Sequence, residues 1–333
     1  MKKLKSFLSL LLIMCIVSTF SPINLSAATK LGQVKSLKIK EVKKTYRGWA
    51  GDMIKTKRGY TMSKKKKTYS YKAVQLSWKK VSGANGYEVY RYGNASKKWH
   101  KVKTIKSAKT TTYYVPELFK GTKVKLKVVA YKNTSSGKVY GAESSAKSYK
   151  SKKDYELTGT VKTKKYNVIT PKGWYRFASE DAFVIQNQYR TAKGLEPLAW
   201  SEVIYEMAKI RSKECSVKFS HTRPNGSDCS TVVEEYFGIE SLVDIGLSYR
   251  GVSVLAENIA IGQGNPKDVM QSWKKSASHY KNLMGENKVS GAISLYVDKD
   301  EQLLWVANFS SHDYDEVKEQ IENGTINENN TMQ

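Results

Sequence analysis

Cysteine is scarce in this chain, acidic residues are nearly missing from its front half, and no long apolar run follows the N-terminal one. Of three cysteines in 333 residues, Cys15 lies in a leader-like start, which leaves Cys215 and Cys229 for a mature chain. One pair cannot build a disulfide-dense scaffold. In an oxidising compartment an even pair allows one bridge or two buried thiols, and the count leaves both open. A Cys215–Cys229 bridge would close a short loop around His221. Without a second run of roughly 20 apolar residues, no spanning helix is expected after the leader. Also missing are a His-Glu-x-x-His pattern, a Gly-x-Ser-x-Gly elbow and a glycine-rich phosphate loop. Ser220 and Ser278 adjoin histidines in sequence, but adjacency alone makes no nucleophile–base pair.

What is present begins with a positive start, Met1-Lys2-Lys3-Leu4-Lys5, and an apolar stretch from Phe7 to Phe20, followed by small Ser26 and Ala28. That is the pattern of a secretory signal peptide over residues 1–28, cleaved after Ala28. The expected location is secreted, extracellular or cell-wall associated. Charge then divides the chain. Residues 29–170 hold 37 Lys and Arg against 7 Asp and Glu, whereas residues 171–333 hold 17 against 23. The front half therefore seeks an anionic partner, and export together with the dominance of lysine favours a cell-wall polymer of teichoic-acid type or an envelope surface over nucleic acid.

Between residues 72 and 148, short runs such as Ala73-Val74-Gln75-Leu76-Ser77-Trp78, Gly86 to Arg91 and Val124 to Tyr131 alternate faces between turns. Short strands at this spacing imply a β-sandwich. The words "VQLSWKKVSGANGYEVYR", "ELFKGTKVKLKVVAY" and "VYGAES" resemble bacterial fibronectin type III modules, with Trp78 as the core tryptophan and Val124 where such modules usually carry a tyrosine. The expected module spans 32–148, with a long basic insertion at about 45–71 read as a solvated loop, and a linker follows over 149–176.

From Ser179 the period becomes helical: Ala182, Ile185 and Tyr189 share a face, Val203, Met207 and Ile210 form a second stripe after the N-cap Ser201, and Pro266 opens another helix. Two strand-like runs, Val289 to Val297 and Leu303 to Phe309, close this part. The segments "FSHTRPNGSDC", "AENIAIGQGNP" and "VMQSWKKSASHYKNLM" resemble the CAP superfamily (cysteine-rich secretory protein, antigen 5, PR-1), bacterial branch. The chain is thus expected to be multidomain, a fibronectin type III-like β-sandwich followed by an α/β/α sandwich over 177–312, with a disordered acidic tail over 313–333. The resemblance implies a groove in which His221, Glu257 and His279 hold a divalent cation such as zinc, lined also by Arg223, Asn258 and Tyr280. Two departures from the family pattern stand out. Ala277-Ser278-His279-Tyr280 replaces the usual Ser-Pro-Gly-His-Arg, and the helix ahead reads Trp273-Lys274-Lys275 where many relatives place a second acid. Two functions follow from this reading: an envelope-associated binding protein whose groove takes a small ligand, lipid or peptide, or a metal-dependent extracellular hydrolase acting on peptide or wall. The missing catalytic motifs favour the first.

Overall fold

The computed structural model describes residues 31–49, 53–57, 59–62, 66–155, 172–238 and 255–324. The expected leader and most of the expected linker lie outside these residues. No helix among the described residues is long and apolar enough to cross a membrane.

Alternating side chains make the front part all β. In chain order its strands are β1 (Lys38–Trp49), β2 (Met53–Thr56), β3 (Gly59–Met62), β4 (Lys66–Ser77), β5 (Gly86–Tyr92), β6 (Trp99–Ile105), β7 (Thr112–Tyr114), β8 (Lys123–Thr134), β9 (Gly137–Tyr140) and β10 (Lys147–Lys150). One sheet runs β1-β4-β7, and the other β10-β8-β5-β6 with β9 added to β8. Strand β8 shows the cause: Val124, Leu126 and Val128 are buried while Lys123 and Lys125 are exposed. Those apolar residues meet Tyr87 and Val89 of β5 and, from the facing sheet, Val74 and Leu76 of β4 in one core. Trp78 packs edge-on against Tyr87 at 5.3 Å, and the Tyr87 hydroxyl accepts from the Val81 N–H at 3.0 Å.

Two expectations for this part change. The stretch at about 45–71 is not a loop, because β1 and β4 pair continuously from Lys38 opposite Ser77 to Trp49 opposite Lys66, and β2 with β3 forms a hairpin beyond. Recurrent Tyr and Thr supply the strand propensity that the lysine count obscured. The module also runs past residue 148: β10 pairs with β8, and Tyr155 is buried in the sandwich core with its hydroxyl donating to Glu41 at 2.5 Å.

The second part comprises β11 (Gly173–Trp174), α1 (Arg176–Thr191), β12 (Ala199–Trp200), α2 (Glu202–Glu214), α3 (Val232–Phe237), β13 (Ala256–Ile261), α4 (Pro266–Lys275), α5 (Ala277–Leu283), β14 (Ser290–Val297), β15 (Leu303–Ser310) and α6 (Tyr314–Glu322). Its sheet runs β11-β14-β15-β13, with β12 parallel to β14. Both faces of the central strands are covered. Ile293, Leu295, Trp305 and Ala307 pack with Ala178, Phe183, Met270 and Trp273 on one side. On the other, Leu304, Val306 and Tyr296 pack with Ala208 of α2. The result is three layers, helix on sheet on helix. The tail expected to be disordered is helical over Tyr314–Glu322: Asp313 caps it, and Tyr314 and Val317, three apart, pack against α2 and α3.

The two parts meet in a seam of exchanged carboxylates. Helix α1 has no side-chain cap of its own at Tyr175 and no acid in its first turn. Glu117, from the sandwich, supplies the missing acceptor, taking the Ala178 N–H at 2.8 Å with its backbone held at a left-handed φ of 51°. In return, Glu180 of α1 accepts from the Ala95 N–H at 3.0 Å and the Ser96 hydroxyl at 3.0 Å, and Asp181 accepts from Asn94 at 3.1 Å and Thr122 at 3.0 Å. Gly93 is required here, since a Cβ would collide with the Glu180 carboxylate. Arg91 crosses the seam, donating to the Pro116 carbonyl at 2.8 Å and lying 4.1 Å over the Phe177 ring. Phe119 of the sandwich inserts into the core beside Tyr175 and Ala178.

Burial pushes Glu117 up to about 7 and Asp181 up to about 6, from ordinary values of 4.5 and 3.8. The folded protein therefore binds these protons more tightly than the unfolded chain does. Their contribution to stability is complete below those ordinary values and is lost as pH rises through about 6 and about 7. Glu117→Gln keeps an acceptor for Ala178 and removes one titration. In urea unfolding between about pH 5 and about pH 8, wild type should lose at least ~1 kcal/mol more than the variant. Equal losses would show that Glu117 is not a strained acid.

Candidate functional site

The site is built around an arginine at a core position. Val203, Met207 and Arg211 follow one another at helical i, i+4, i+8 spacing on α2, and the ridge faces the sheet, so the guanidinium is carried inside with 0% of its side chain exposed. There it binds Glu257 of β13 in two places, Nε to Oε2 at 2.9 Å and Nη2 to Oε1 at 3.0 Å. It also donates to the Ser220 carbonyl at 2.9 Å and to Glu214. Burial alone would push Glu257 up, but hydrogen bonds from His221 and Arg211 outweigh it and hold the carboxyl below its usual range. Both partners are charged, and each compensates the other.

Above this pair sits His221. The chain from Thr222 to Asp228 folds back on itself through a bridge between those two residues, with Gly226 at a φ of 92° making the turn. Asp228 accepts from the Ser230 N–H at 2.9 Å and caps the single helical turn Cys229–Thr231. This fold-back hangs His221 so that its Nδ1 lies 3.0 Å from Glu257 Oε1 while 53% of the side chain remains open to solvent. The hydrogen bond to Glu257 raises the His221 pKa against the opposing effect of burial. Ligating atoms of His221, Cys229 and Glu257 gather within 4.8 Å of one another.

The remaining expected residues are placed as follows. His279 is half-buried on α5 with Nδ1 2.8 Å from the Ser276 hydroxyl, and burial and the charge on His221 both lower its pKa. Asn258 lies behind the groove with no exposed surface, donating to the His279 carbonyl at 3.0 Å and accepting from Asn282 at 2.9 Å. Tyr280 packs against the helix-side core. Arg223 does not line an open surface, because it is buried against Glu214 at 2.7 Å, Glu235 and Thr231, fastening the His221 turn to α2 and α3. Arg211 and Asn282 were missed by the sequence reading. Arg211 had a signal, a charged residue on the apolar ridge of α2, whereas Asn282 had none.

Cys215 and Cys229 are free thiols, not a bridge. They serve different layers: Cys215 packs with Ile259, Tyr296 and Leu304 beneath the sheet, and Cys229 opens the helical turn beside Glu257. Burial pushes each thiol up to about 12.

These donors fit a resident divalent cation poorly. Both Glu257 oxygens already accept from Arg211, which cancels the carboxylate's charge. His279 bonds Ser276 through Nδ1, which leaves Nε2 as its only ring nitrogen for a ligand. A cation beside Glu257 would meet an acid whose charge Arg211 already compensates. Of the two histidines, His221 is the one a carboxylate orients, through Glu257 at 3.0 Å, whereas among the described residues no carboxylate is hydrogen-bonded to His279. The groove therefore offers a half-exposed imidazole over a closed ion pair, suited to hydrogen bonding a polar ligand.

Residues 185–309 match the model of the CAP family, described as the cysteine-rich secretory protein family. The uncharacterized protein YkwD of Bacillus subtilis is 27% identical over 127 residues, covering 38% of this chain and 44% of YkwD. The match thus spans less than half of that relative. Among solved structures, an extracellular protein containing a SCP domain from Bacillus anthracis is similar at 14% identity and a TM-score of 0.34, over 72% of this chain and 81% of that one. A Fn3-like protein from Clostridium thermocellum is similar at 28% identity and a TM-score of 0.19, over 23% and 73%.

Arg211→Met should cost about 3–5 kcal/mol in urea unfolding, because it strands Glu257 as an unpaired buried charge. Adding Glu257→Gln to it should restore a large part of that loss. A single-variant cost below about 1 kcal/mol would show that the pair does not organise the groove. Iodoacetamide should label neither Cys215 nor Cys229 in the native protein and both in denaturant without reductant. Absence of label on both after denaturation would restore the bridge.

Proposed function

We infer that this chain, whose residues 185–309 form a CAP domain, is an envelope-associated binding protein. Its basic sandwich attaches it to anionic wall polymer, and its CAP groove takes a small polar ligand. The observation that carries the reading is the charge division, 37 basic against 7 acidic residues over 29–170 beside an acidic C-terminal part. Such an excess raises the local concentration of a polyanion and speeds encounter with one. The groove supports binding over turnover for a separate reason. Turnover would need a nucleophile or a held water beside the open edge of His221, and among the described residues no serine, threonine or cysteine is hydrogen-bonded to that ring. A small ligand would hydrogen-bond the open edge of His221, with the ion pair beneath fixing the ring.

Attachment by exposed lysines is screened within a Debye length of about 8 Å at physiological salt. Sedimentation with isolated bacterial cell walls should therefore retain the protein at about 0.05 M salt and release most of it at about 0.5 M. Walls stripped of anionic polymer should retain little at either concentration. Binding that ignores both salt and stripping would overturn the reading.

A further inference from the structure

Resting on that polyanion reading and narrowing it, we propose that the outer face of the β10-β8-β5-β6 sheet is a docking surface for an acidic polysaccharide chain. Sugar rings would lie against Tyr90, Tyr92 and Trp99, with their anionic groups meeting the lysines of β8.

The face is laid out by register. Tyr90 stands opposite Lys101 on one side and Lys127 on the other, Tyr92 is opposite Trp99, and Lys125 is opposite Ser148. The Tyr92 and Trp99 rings meet edge to face at 5.4 Å. The Lys127 ammonium lies 4.6 Å from the Trp99 ring centre and that of Lys125 lies 5.4 Å from Tyr92. The aromatics are only half-buried, which is unusual for three large rings on one strand pair of a small module. Lys123, Lys125 and Lys127 recur on alternate residues, roughly 7 Å apart. A straight row of ammoniums beside a row of rings matches a linear polymer that repeats both an apolar ring face and an anion.

The charge on this face is not already spent. Its two acids are committed: Glu88 is buried beneath Lys138 at 2.8 Å and Lys101 at 3.5 Å, and Glu143 pairs with Lys127 at 2.7 Å. Lys123, Lys125 and Lys150 have no carboxylate partner among the described residues, and Lys123 and Lys150 line a depression of about 390 Å³ with Ser148 and Tyr149. Nucleic acid fits less well. Single-stranded nucleic acid gains from arginine planes beside its stacking platforms, and the cations on this face are lysines. The one arginine of β5, Arg91, is turned into the seam.

The test uses the whole protein with four probes: polygalacturonate, which has rings and anions; polyphosphate, which has anions alone; dextran, which has rings alone; and oligothymidylate. Trp99→Ala and Lys125→Gln should each weaken polygalacturonate binding about tenfold or more, while Trp99→Ala changes polyphosphate binding less than about twofold. Lys125 is exposed, so Lys125→Gln keeps the test open should Trp99→Ala fail to fold. Unchanged polygalacturonate binding in Lys125→Gln, or in a folded Trp99→Ala, overturns the placement on this face while leaving the polyanion reading in place. Oligothymidylate bound more tightly, with the same loss on Trp99→Ala, makes the face a nucleic-acid surface instead. Dextran bound as well as polygalacturonate removes the need for anions. Wild type that binds neither polyanion at low salt overturns the broader reading itself.

Discussion

Everything in the second part of this chain is positioned by a helix that cannot cap itself. The first N–H groups of α1 point into a buried place with no side-chain acceptor from their own turn, and an uncapped buried helix end is costly. Glu117 answers from the other module, 61 residues earlier. Because α1 carries Phe183 and Ala182 onto the sheet and Arg190 onto the end of α5, its placement sets the sheet's cover and the groove's far wall. The reciprocal bonds of Glu180 and Asp181 make this a matched exchange. Burying three acids in one seam brings little net stability, but it admits only one way of assembling the two modules.

Buried guanidinium groups recur as clamps. Arg91 holds Pro116 and Glu117 carbonyls at the seam, Arg190 holds the Leu283 and Gly285 carbonyls at 3.0 and 2.9 Å beyond α5, and Arg211 joins α2, β13 and the His221 turn. Each uses the planar fork of arginine to satisfy several acceptors at once, which lysine's point charge cannot do. Among the described residues of the front part, by contrast, the lysines are exposed except for half-buried Lys127 and Lys153. Structural roles in the core thus fall to arginine, and the basic excess of the front half is carried by lysine at the surface.

Much of the fold was legible from local pattern. Ser201 and Pro266 open α2 and α4 where the sequence placed them, and the runs at 289–297 and 303–309 are β14 and β15 to within a residue. What was not legible depends on partners far away in sequence. The Cys215–Cys229 pairing looked plausible because thirteen intervening positions form a short loop, yet one thiol packs under the sheet and the other beside Glu257. His221 and Glu257 were found by motif, but the motif did not show that Arg211 already occupies the carboxylate. The tail misled for a compositional reason: its Asn and acid content hid two apolar residues, Tyr314 and Val317, at the right spacing to dock. Likewise, lysine-rich wording hid a strand pair twelve residues long.

The seam has a mechanical consequence. Two modules on a flexible linker would let the groove sweep a volume set by linker length, and its encounters would be governed by effective concentration. Here the chain forms one compact unit from Leu31 onward, so the His221 site has a set bearing relative to the lysine row of β8. Whatever surface the outer sheet lies on, His221 is presented at one height and one angle to it. The bearing between the two modules is then set by the seam and not by the length of the chain that connects them.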